Sequence, residues 1–334
     1  MLQHFKRNQV QHAMAFSQWM RRHGAKGGLD PLNMIMEITL NDRTQRFFPQ
    51  FTVMTKDGVR FVEQFVPGVS GFVGWYPYAR KYWESAYSKI AFKQYANSVG
   101  LRTPAWSLDN VEVRGAYLIK SDKSSFGQGQ RGPFLTEVGS SKPKGEDRAL
   151  AEGEYYEQFV VGQLMKAWFW NDKPATIEVI DMPQVVGDGL LTMTELYRAL
   201  TKTADSLVSE HLLTVQGVMA NQVIPKGKKV IVEYKMAAEI SPVHYADYNC
   251  RDRVAGTPLE QQLIQAVGLC LDAIPSETKE GGVLMTLDGV IDGQGKVWFF
   301  EMNSNPQLHP ALYDTLLDDI FNVHQPVTHI ETSS

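Results

Sequence analysis

The stretch LDGVIDGQGKVWFFEMNSNP, residues 287–306, decides the fold. The stretch includes a turn sequence, DGQG, and parts of the two strand-like runs on either side of it, GGVLMTLDGVI and KVWFFEMN. Two such runs around a tight turn predict an antiparallel hairpin. Because side chains alternate along a strand, Glu301 and Asn303 share one face, and the hairpin can bring Asp288 opposite them. Two carboxylates and one amide are the oxygen ligands that Mg²⁺ prefers. The stretch therefore predicts a metal site, with an exposed polar strand end closed by an NSNP turn as an equally weighted alternative.

A loop of small residues follows another predicted strand in YLIKSDKSSFGQGQ, residues 117–130. The strand ends on Lys120, and the loop runs from Ser124 to Gly129. Glycine lets backbone N–H groups approach phosphate oxygens, serine hydroxyls donate hydrogen bonds, and a lysine ammonium neutralises phosphate. The segment predicts a loop that covers a triphosphate. It is not a Walker A sequence, however, and an ordinary surface loop stays open as the alternative.

A third segment, YYEQFVVGQ at residues 155–163, is an apolar strand with Glu157 embedded in it and Gly162 near its end. Such a strand, on leaving a domain, can present backbone groups to the edge of an adenine ring. The alternative, favoured for this segment in isolation, is a buried strand with Glu157 at its solvent end.

The remaining sequence mixes helices and strands. Apolar spacing predicts a helix from Leu2 to about Arg22, followed by the strand-like runs NMIMEITL, RFFPQFTVMT and VRFVEQFV. Further helices are predicted in SAYSKIAFKQYANSVG, LTMTELYRALTKTADSL, LEQQLIQAVGLCLDAI and HPALYDTLLDDIF, and short strands in EYYEQFVVG, LMKAWFWN, ATIEVI and MPQVVGDG. No strict βαβ repeat is visible, which predicts an α+β fold.

The composition excludes several classes of protein. Of the 334 residues 43% are apolar and 21% charged, as in globular proteins, and the net charge of −4 argues against wholesale binding to nucleic acid or an anionic membrane. The basic segments SKPKGEDR and IPKGKK are better interpreted as solvated loops, by about four to one. Cys250 and Cys270 lack metal-ligand spacing, and no signal peptide or long apolar run is present. We expect a cytoplasmic protein with neither nucleic-acid nor membrane partners.

Taken in order from Glu84 to Phe321, these segments resemble the ATP-grasp superfamily, in particular the ATP-grasp portion of cyanophycin synthetase and related peptide ligases. MPQVVGDGLLTMTEL, residues 182–196, is similar to that group's "p.vvGdG..tv.eL" run, and IPKGKKVIVEYK, residues 224–235, to a later strand. The resemblance implies an ATP-grasp domain over residues 81–325, made of a glycine-rich-loop subdomain at about 105–157 and a metal-binding subdomain at about 158–325. Two α+β subdomains would then clasp ATP. A smaller N-terminal α/β module, helix plus strands, takes residues 1–80.

The resemblance also assigns site residues. Those implied for ATP are Lys89, Lys120, Ser124, Ser125, Phe126, Gly127, Gln128, Gly129, Glu157, Gln158, Phe159 and Val160. Those implied for the metal are Asp288, Glu301 and Asn303, and those implied for catalysis are Lys235 and Lys166, each in place of a family arginine. The implied cofactors are ATP and Mg²⁺, with two ions and with Mn²⁺ as an alternative metal. One departure is Leu164, which stands where the family has an acidic residue for the ribose hydroxyls.

The function implied is a ligase that activates a carboxylate as an acyl phosphate and joins it to an amine, with amino acids or peptides as substrates. An ATP-grasp kinase and a nucleotide-binding regulator without turnover stay open as alternatives. A homodimer is also open, since similar enzymes are commonly dimeric. His244 is a loop histidine without a named partner, and we leave it out of the catalytic set.

Overall fold

The described part of the chain, in a computed structural model, comprises residues 2–323 except 56–57, 63, 68–69, 110–114, 125–128, 137–148, 202–207 and 235–248. The predicted site residues that lie outside the described residues are Ser125, Phe126, Gly127, Gln128 and Lys235, and His244 lies outside them as well. No helix in the described ranges has the length and apolar character needed to cross a membrane.

Helices and strands alternate irregularly along the chain. The helices are α1 Leu2–His23, α2 Lys89–Ser98, α3 Met193–Thr201, α4 Glu210–Val215, α5 Arg251–Val254, α6 Pro258–Asp272, α7 Ser276–Lys279 and α8 Leu312–Ile320, with a 3-10 turn at Glu84–Ala86. The strands are β1 Lys26–Leu29, β2 Met36–Leu40, β3 Arg43–Thr55, β4 Gly58–Val62, β5 Ser70–Tyr76, β6 Trp106–Ser107, β7 Ala116–Ser121, β8 Arg131–Leu135, β9 Glu154–Gln158, β10 Gly162–Trp170, β11 Lys173–Asp181, β12 Gln184–Val186, β13 Lys229–Ile231, β14 Leu284–Asp292 and β15 Val297–Ser304.

The N-terminal sheet has the order β1-β2-β3-β4, with β5 paired to β3. Every pairing in it is antiparallel, so this module is α+β rather than the expected α/β. The predicted helix and three strands are present, whereas β1 and β5 were not predicted. Both missed strands carry two glycines, which weaken the strand signal. In β5, Gly74 adopts a φ of 142°, and a Cβ there would lie 2.8 Å from the Leu308 side chain.

The hydrophobic core of this module continues into the C-terminal part of the chain. Phe16 and Trp19 of α1 belong to one buried cluster with Trp168 of β10 and Tyr313 of α8. The Trp19 indole also donates a hydrogen bond to Asp318 over 2.8 Å. Residues on both sides of the boundary expected near residue 80 therefore share one hydrophobic core, in which α1 packs with α8.

A second antiparallel sheet has the order β11-β10-β14-β15 and contains the predicted hairpin. One face of this sheet, with side chains such as Phe169 and Leu287, packs against apolar residues of α2 and α6. The hairpin turns at Asp292, whose carboxylate accepts hydrogen bonds from the backbone N–H groups of Gln294 and Lys296. Covering one face leaves the opposite face of the sheet to carry polar side chains.

A third antiparallel sheet, β6-β9-β7-β8, carries Lys120 near the end of β7 and Glu157 on β9. The predicted helix α2 begins at Lys89 and ends before Gly100, which has a φ of 71° and stops the helix as expected. A two-stranded sheet, β12-β13, packs with α3 and α4 around a small separate core. The site described below lies between α2, the second sheet and the third sheet.

Candidate functional site

Four charged side chains form one row across the second sheet. The strand register places Glu178 of β11 opposite Lys166 of β10, Lys166 opposite Asp288 of β14, and Asp288 opposite Glu301 of β15. Directly opposite residues of antiparallel strands project from the same face, and adjacent strands are about 4.8 Å apart, so the row spans roughly 14 Å. We call these four residues the charged row. The sequence prediction that Asp288 faces Glu301 is confirmed by this register.

Asp288 is held by a lysine. The Lys166 ammonium lies 2.8 Å from both oxygens of the Asp288 carboxylate. Burial raises the pKa of Asp288, and the neighbouring Glu301 carboxylate adds to that rise, whereas Lys166 opposes it. The net direction is upward, because the desolvation of the buried carboxylate outweighs the attraction of the lysine. This position therefore favours a further positive charge.

Glu301 faces the first turn of α2. Its carboxylate lies 3.2 Å from the Lys89 ammonium. Burial acts to raise the pKa of Glu301, but Lys89 and the more distant Lys166 and Lys120 outweigh it and hold that pKa below its usual range. Glu301 is thus an ionised carboxylate in a lysine-rich surrounding, as a ligand to a metal or a partner to a phosphate-binding lysine must be.

The start of α2 is fixed by side-chain capping, which positions Lys89. The Ser88 hydroxyl accepts a hydrogen bond from the Ala91 backbone N–H over 3.0 Å and donates one to Asp122 over 2.7 Å. Asp122 also accepts from the Ile90 backbone N–H over 2.9 Å. Because Asp122 directly follows β7, these contacts connect the helix that carries Lys89 to the strand that carries Lys120.

Asn303 lies two pairs further along the hairpin, opposite Thr286. Its amide nitrogen is 3.3 Å from the Thr286 hydroxyl, to which it donates, so that the amide oxygen can serve as a metal ligand. Asp288, Glu301 and Asn303 supply three oxygen-bearing side chains on neighbouring strands, which fits a hard cation such as Mg²⁺. Within the described ranges, no three His, Cys, Asp or Glu side chains form a metal-holding group alone. The donor set therefore fits an ion that completes its shell with phosphate oxygens and water.

A second cluster of charges lies on the third sheet. The Glu157 carboxylate contacts the ammonium groups of both Lys93, at 2.5 Å, and Lys120. Glu157 and Lys93 are fully buried, so the alternative interpretation, with Glu157 at the solvent end of its strand, is wrong. Burial acts to raise the pKa of Glu157, but Lys120 and Lys93 outweigh it and hold the pKa low. The contact of Glu157 with adenine stays a prediction, since its side chain is engaged with the two lysines.

Lys120 joins the two clusters. Its ammonium lies 4.3 Å from the centre of the Phe300 ring, next to Glu301 in β15. Ser124 contacts Lys89: its backbone oxygen accepts a hydrogen bond from the Lys89 ammonium, and its hydroxyl lies 3.3 Å from the same ammonium. Gly129, at the far end of the predicted loop, has a φ of 73°, a conformation that favours glycine. Lys89, Lys120 and Ser124 thus converge on one edge of the charged row.

The strand predicted to contact adenine continues from β9. Gln158 accepts a long hydrogen bond, of 3.4 Å, from the Ala105 backbone N–H. Phe159 is 8% exposed and packs edge-on against Tyr234, and Val160 is partly buried beside it. Leu164 packs in the same small core. Adenine contacts of these residues stay predictions.

Sequence reasoning missed four polar residues that the structure places around the site: Lys93, Glu178, Thr286 and His309. Lys93 had a usable signal, because it lies four residues after Lys89 and therefore on the same face of α2. Glu178 and His309 had none, since their neighbours come from distant parts of the chain.

No protein-family model matches the chain, and no curated protein matches it in sequence. Among solved structures, it is similar to a bifunctional glutathione synthetase from Pasteurella multocida, with 15% identity, 93% of this chain and 43% of that chain covered, and a TM-score of 0.43. It is similar to D-alanine--D-alanine ligase from Bacillus anthracis, with 12% identity, 71% of this chain and 67% of that chain covered, and a TM-score of 0.36. It is also similar to an L-amino acid ligase from Bacillus licheniformis, with 11% identity, 66% of this chain and 40% of that chain covered, and a TM-score of 0.32. The chain spans less than half of the glutathione synthetase, and all three names are those of ligases or synthetases.

Proposed function

We propose that the protein is an ATP-dependent, magnesium-requiring ligase that joins a carboxylate to an amine. The observation that carries the proposal is the convergence of Lys89, Lys120 and Lys166 on the paired carboxylates Asp288 and Glu301. Carboxylates on adjacent strands suit a metal bound to a nucleotide, and lysines beside them suit its phosphates. Such a site serves phosphoryl transfer without a covalent nucleophile.

The described residues of the site include four lysines and four acidic side chains. Four lysines, Lys89, Lys93, Lys120 and Lys166, stand against four acids, Glu157, Glu178, Asp288 and Glu301. Lys89 and Lys166 are each paired with a carboxylate of the predicted metal set. When bound there, Mg²⁺ would withdraw charge from the phosphate oxygens and from the developing transition state. Lys89 would then be available to the phosphates, with Asp288, Glu301 and Asn303 as the residues that hold the ion.

In the proposed reaction a substrate carboxylate attacks the γ-phosphorus in line, and the bond to the β-phosphate oxygen breaks to release ADP. Lys89 and Lys120 stabilise the charge that spreads over the equatorial oxygens. An amine then attacks the acyl carbon, loses a proton, and expels inorganic phosphate to leave an amide. Exclusion of water is needed because water would hydrolyse the acyl phosphate.

The amide-forming half of the proposal is supported by the sequence. Residues 182–196 and 224–235 are similar to segments of cyanophycin synthetase and related peptide ligases. Their strands, β12 and β13, pair with each other in an antiparallel ladder. We therefore propose amino acids or short peptides as the substrate class.

The proposal is tested with the purified chain, Mg·ATP, and a pool of amino acids and short peptides. ADP and orthophosphate are followed while mass spectrometry scans for products lighter than the summed substrates by one water. A condensation product formed together with ADP and orthophosphate supports the ligase. A phosphorylated product without orthophosphate would show a kinase instead, and nucleotide binding without turnover on any substrate would show a regulator.

A further inference from the structure

Glu178 is a buried carboxyl group that the proposed chemistry does not use. Its side chain is fully buried, and neither carboxyl oxygen has a hydrogen-bond partner within the described residues. One ionisable group lies close, since Nε2 of His309 is 3.8 Å from a Glu178 oxygen. The other ring nitrogen of His309 accepts a hydrogen bond from the Ala311 backbone N–H over 3.1 Å. Burying a carboxyl group without hydrogen bonds lowers the stability of the folded protein, and a role in the site would explain why the group is there.

Lys166 stands between Glu178 and Asp288 in the charged row. Directly opposite residues of antiparallel strands have Cα atoms about 4.5–5.5 Å apart, so an extended lysine side chain reaches a carboxyl on either neighbouring strand. The ammonium is placed on Asp288, within 2.8 Å of both oxygens. This ion pair occupies a carboxylate that the proposed magnesium site needs.

We propose that Glu178 is the alternative partner of Lys166, to which the ammonium moves from Asp288 when Mg·ATP binds. The inference rests on the proposed function. In the exchange, the O–H bond of the Glu178 carboxyl breaks, its proton passes to the solvent, and the resulting carboxylate pairs with the Lys166 ammonium. Asp288 is then left to the metal. Glu178 is thus a positioning residue, which acts through Lys166.

The surroundings of Glu178 are consistent with this exchange. The charged or titratable groups that face it in the described residues are Lys166 from β10, Asp288 from β14 and His309 after β15, with His12 behind His309. Burial raises the pKa of Glu178 to about 8, a rise that Asp288 supports and Lys166 opposes. The carboxyl therefore carries its proton at pH 7 while Lys166 is on Asp288, and a close ammonium in a dry site would favour its release.

The test measures proton release by isothermal titration calorimetry. Mg·AMP-PNP, an ATP analogue that is not hydrolysed, is titrated at pH 7 in two buffers of different ionisation enthalpy. The wild-type protein is expected to release close to one proton more per bound analogue than Glu178→Gln. Glutamine is an isostere of the protonated carboxyl, so this variant keeps the fold. Glu277→Gln, an exposed position on α7, serves as the matched control and is expected to behave as wild type.

A second variant checks the role of the lysine. Lys166→Met removes the ammonium that moves. This variant is therefore expected to lack the extra proton release of the wild type, as Glu178→Gln does. Equal proton release by the wild type and Glu178→Gln would overturn the exchange while leaving the proposed function intact. If the wild type fails to bind Mg·AMP-PNP at all, the proposed function fails and this inference with it.

Discussion

Substitution of Glu157 by glutamine removes the carboxylate that holds two lysines in the third sheet. Lys93 is fully buried and retains the Thr103 hydroxyl, at 2.9 Å, and the Tyr155 ring, whose centre is 5.9 Å from the ammonium. Lys120 is 12% exposed in its side chain and retains the Phe300 ring. Breaking a buried ion pair from one side destabilises a protein by about 3–5 kcal/mol, because the remaining charge is left uncompensated. We expect Glu157→Gln to lower the free energy of unfolding by this amount.

A double-mutant cycle separates this effect from lost packing. Lys93→Met leaves Glu157 paired with Lys120, so it is expected to be less destabilising than Glu157→Gln. The double variant removes both buried charges, and its loss is expected to be smaller than the sum of the single losses by about 1–3 kcal/mol, within the range measured for residues in contact. Glu154→Gln, on the same strand but in the partly exposed pair with Arg131, is the matched control and is expected to change stability by about 1 kcal/mol or less.

The assay is urea unfolding followed by tryptophan fluorescence, with the shift in midpoint compared at an unchanged dependence on urea. A loss below about 1 kcal/mol for Glu157→Gln would refute the reasoning, since a buried charge would then have been left without penalty. Strict additivity of the two single variants would refute it as well, because it would mean that Lys93 and Glu157 do not interact.

Three further predictions concern stability. Gly162→Ala places a Cβ 2.0 Å from the Ile291 backbone oxygen and is expected to destabilise the protein by about 1–3 kcal/mol. Gly293→Ala is the control, because a Cβ there meets nothing within 4 Å. Equal midpoints of thermal unfolding for the two variants would contradict this prediction. Burial raises the pKa of Glu178 from 4.5 to about 8, so the native state keeps a proton that the unfolded chain loses, and stability falls as pH rises through that window. Between these pH values, the free energy of unfolding of Glu178→Gln is expected to rise relative to that of the wild type by up to about 1.4 kcal/mol per pH unit. Parallel profiles of unfolding free energy against pH would rule this out. Burial lowers the pKa of His12 to about 3, with a contribution from His309, so stability falls as pH drops from 6.5 toward 3. His12→Asn is expected to flatten that acid limb, and an unchanged limb would show that His12 is not its source.

The hairpin and its carboxylates could be predicted from the sequence because their signals are local. Two strand-like runs around DGQG fix the pairing, and the alternation of side chains then places Asp288 opposite Glu301. The register shift beside Asp288 was not predictable. It did not disturb the prediction, because it falls after the Asp288 pair and leaves Glu301 and Asn303 on one face.

Residues whose partners come from distant segments could not be predicted. Glu178 lies in an ordinary strand pattern, ATIEVI, and its role depends on β11 and β14 flanking β10, an order that the sequence does not encode locally. For the segment in isolation, a solvent-exposed Glu157 was the favoured alternative, because a lone acid in an apolar strand is usually exposed. Its burial became possible only because α2 and β7 each bring a lysine to it. Long-range charge pairing, rather than local propensity, therefore decided these positions.

The most direct test of the proposed chemistry is the rate of ADP formation from Mg·ATP and the amino-acid pool by Asp288→Asn and Glu301→Gln. Each variant is expected to lose at least about 100-fold in rate, because a metal ligand that stabilises the transition state is removed, while circular dichroism shows a retained fold. Glu277→Gln is expected to keep the wild-type rate. Full ADP formation by Glu301→Gln would contradict the assignment of the charged row as the metal and phosphate site.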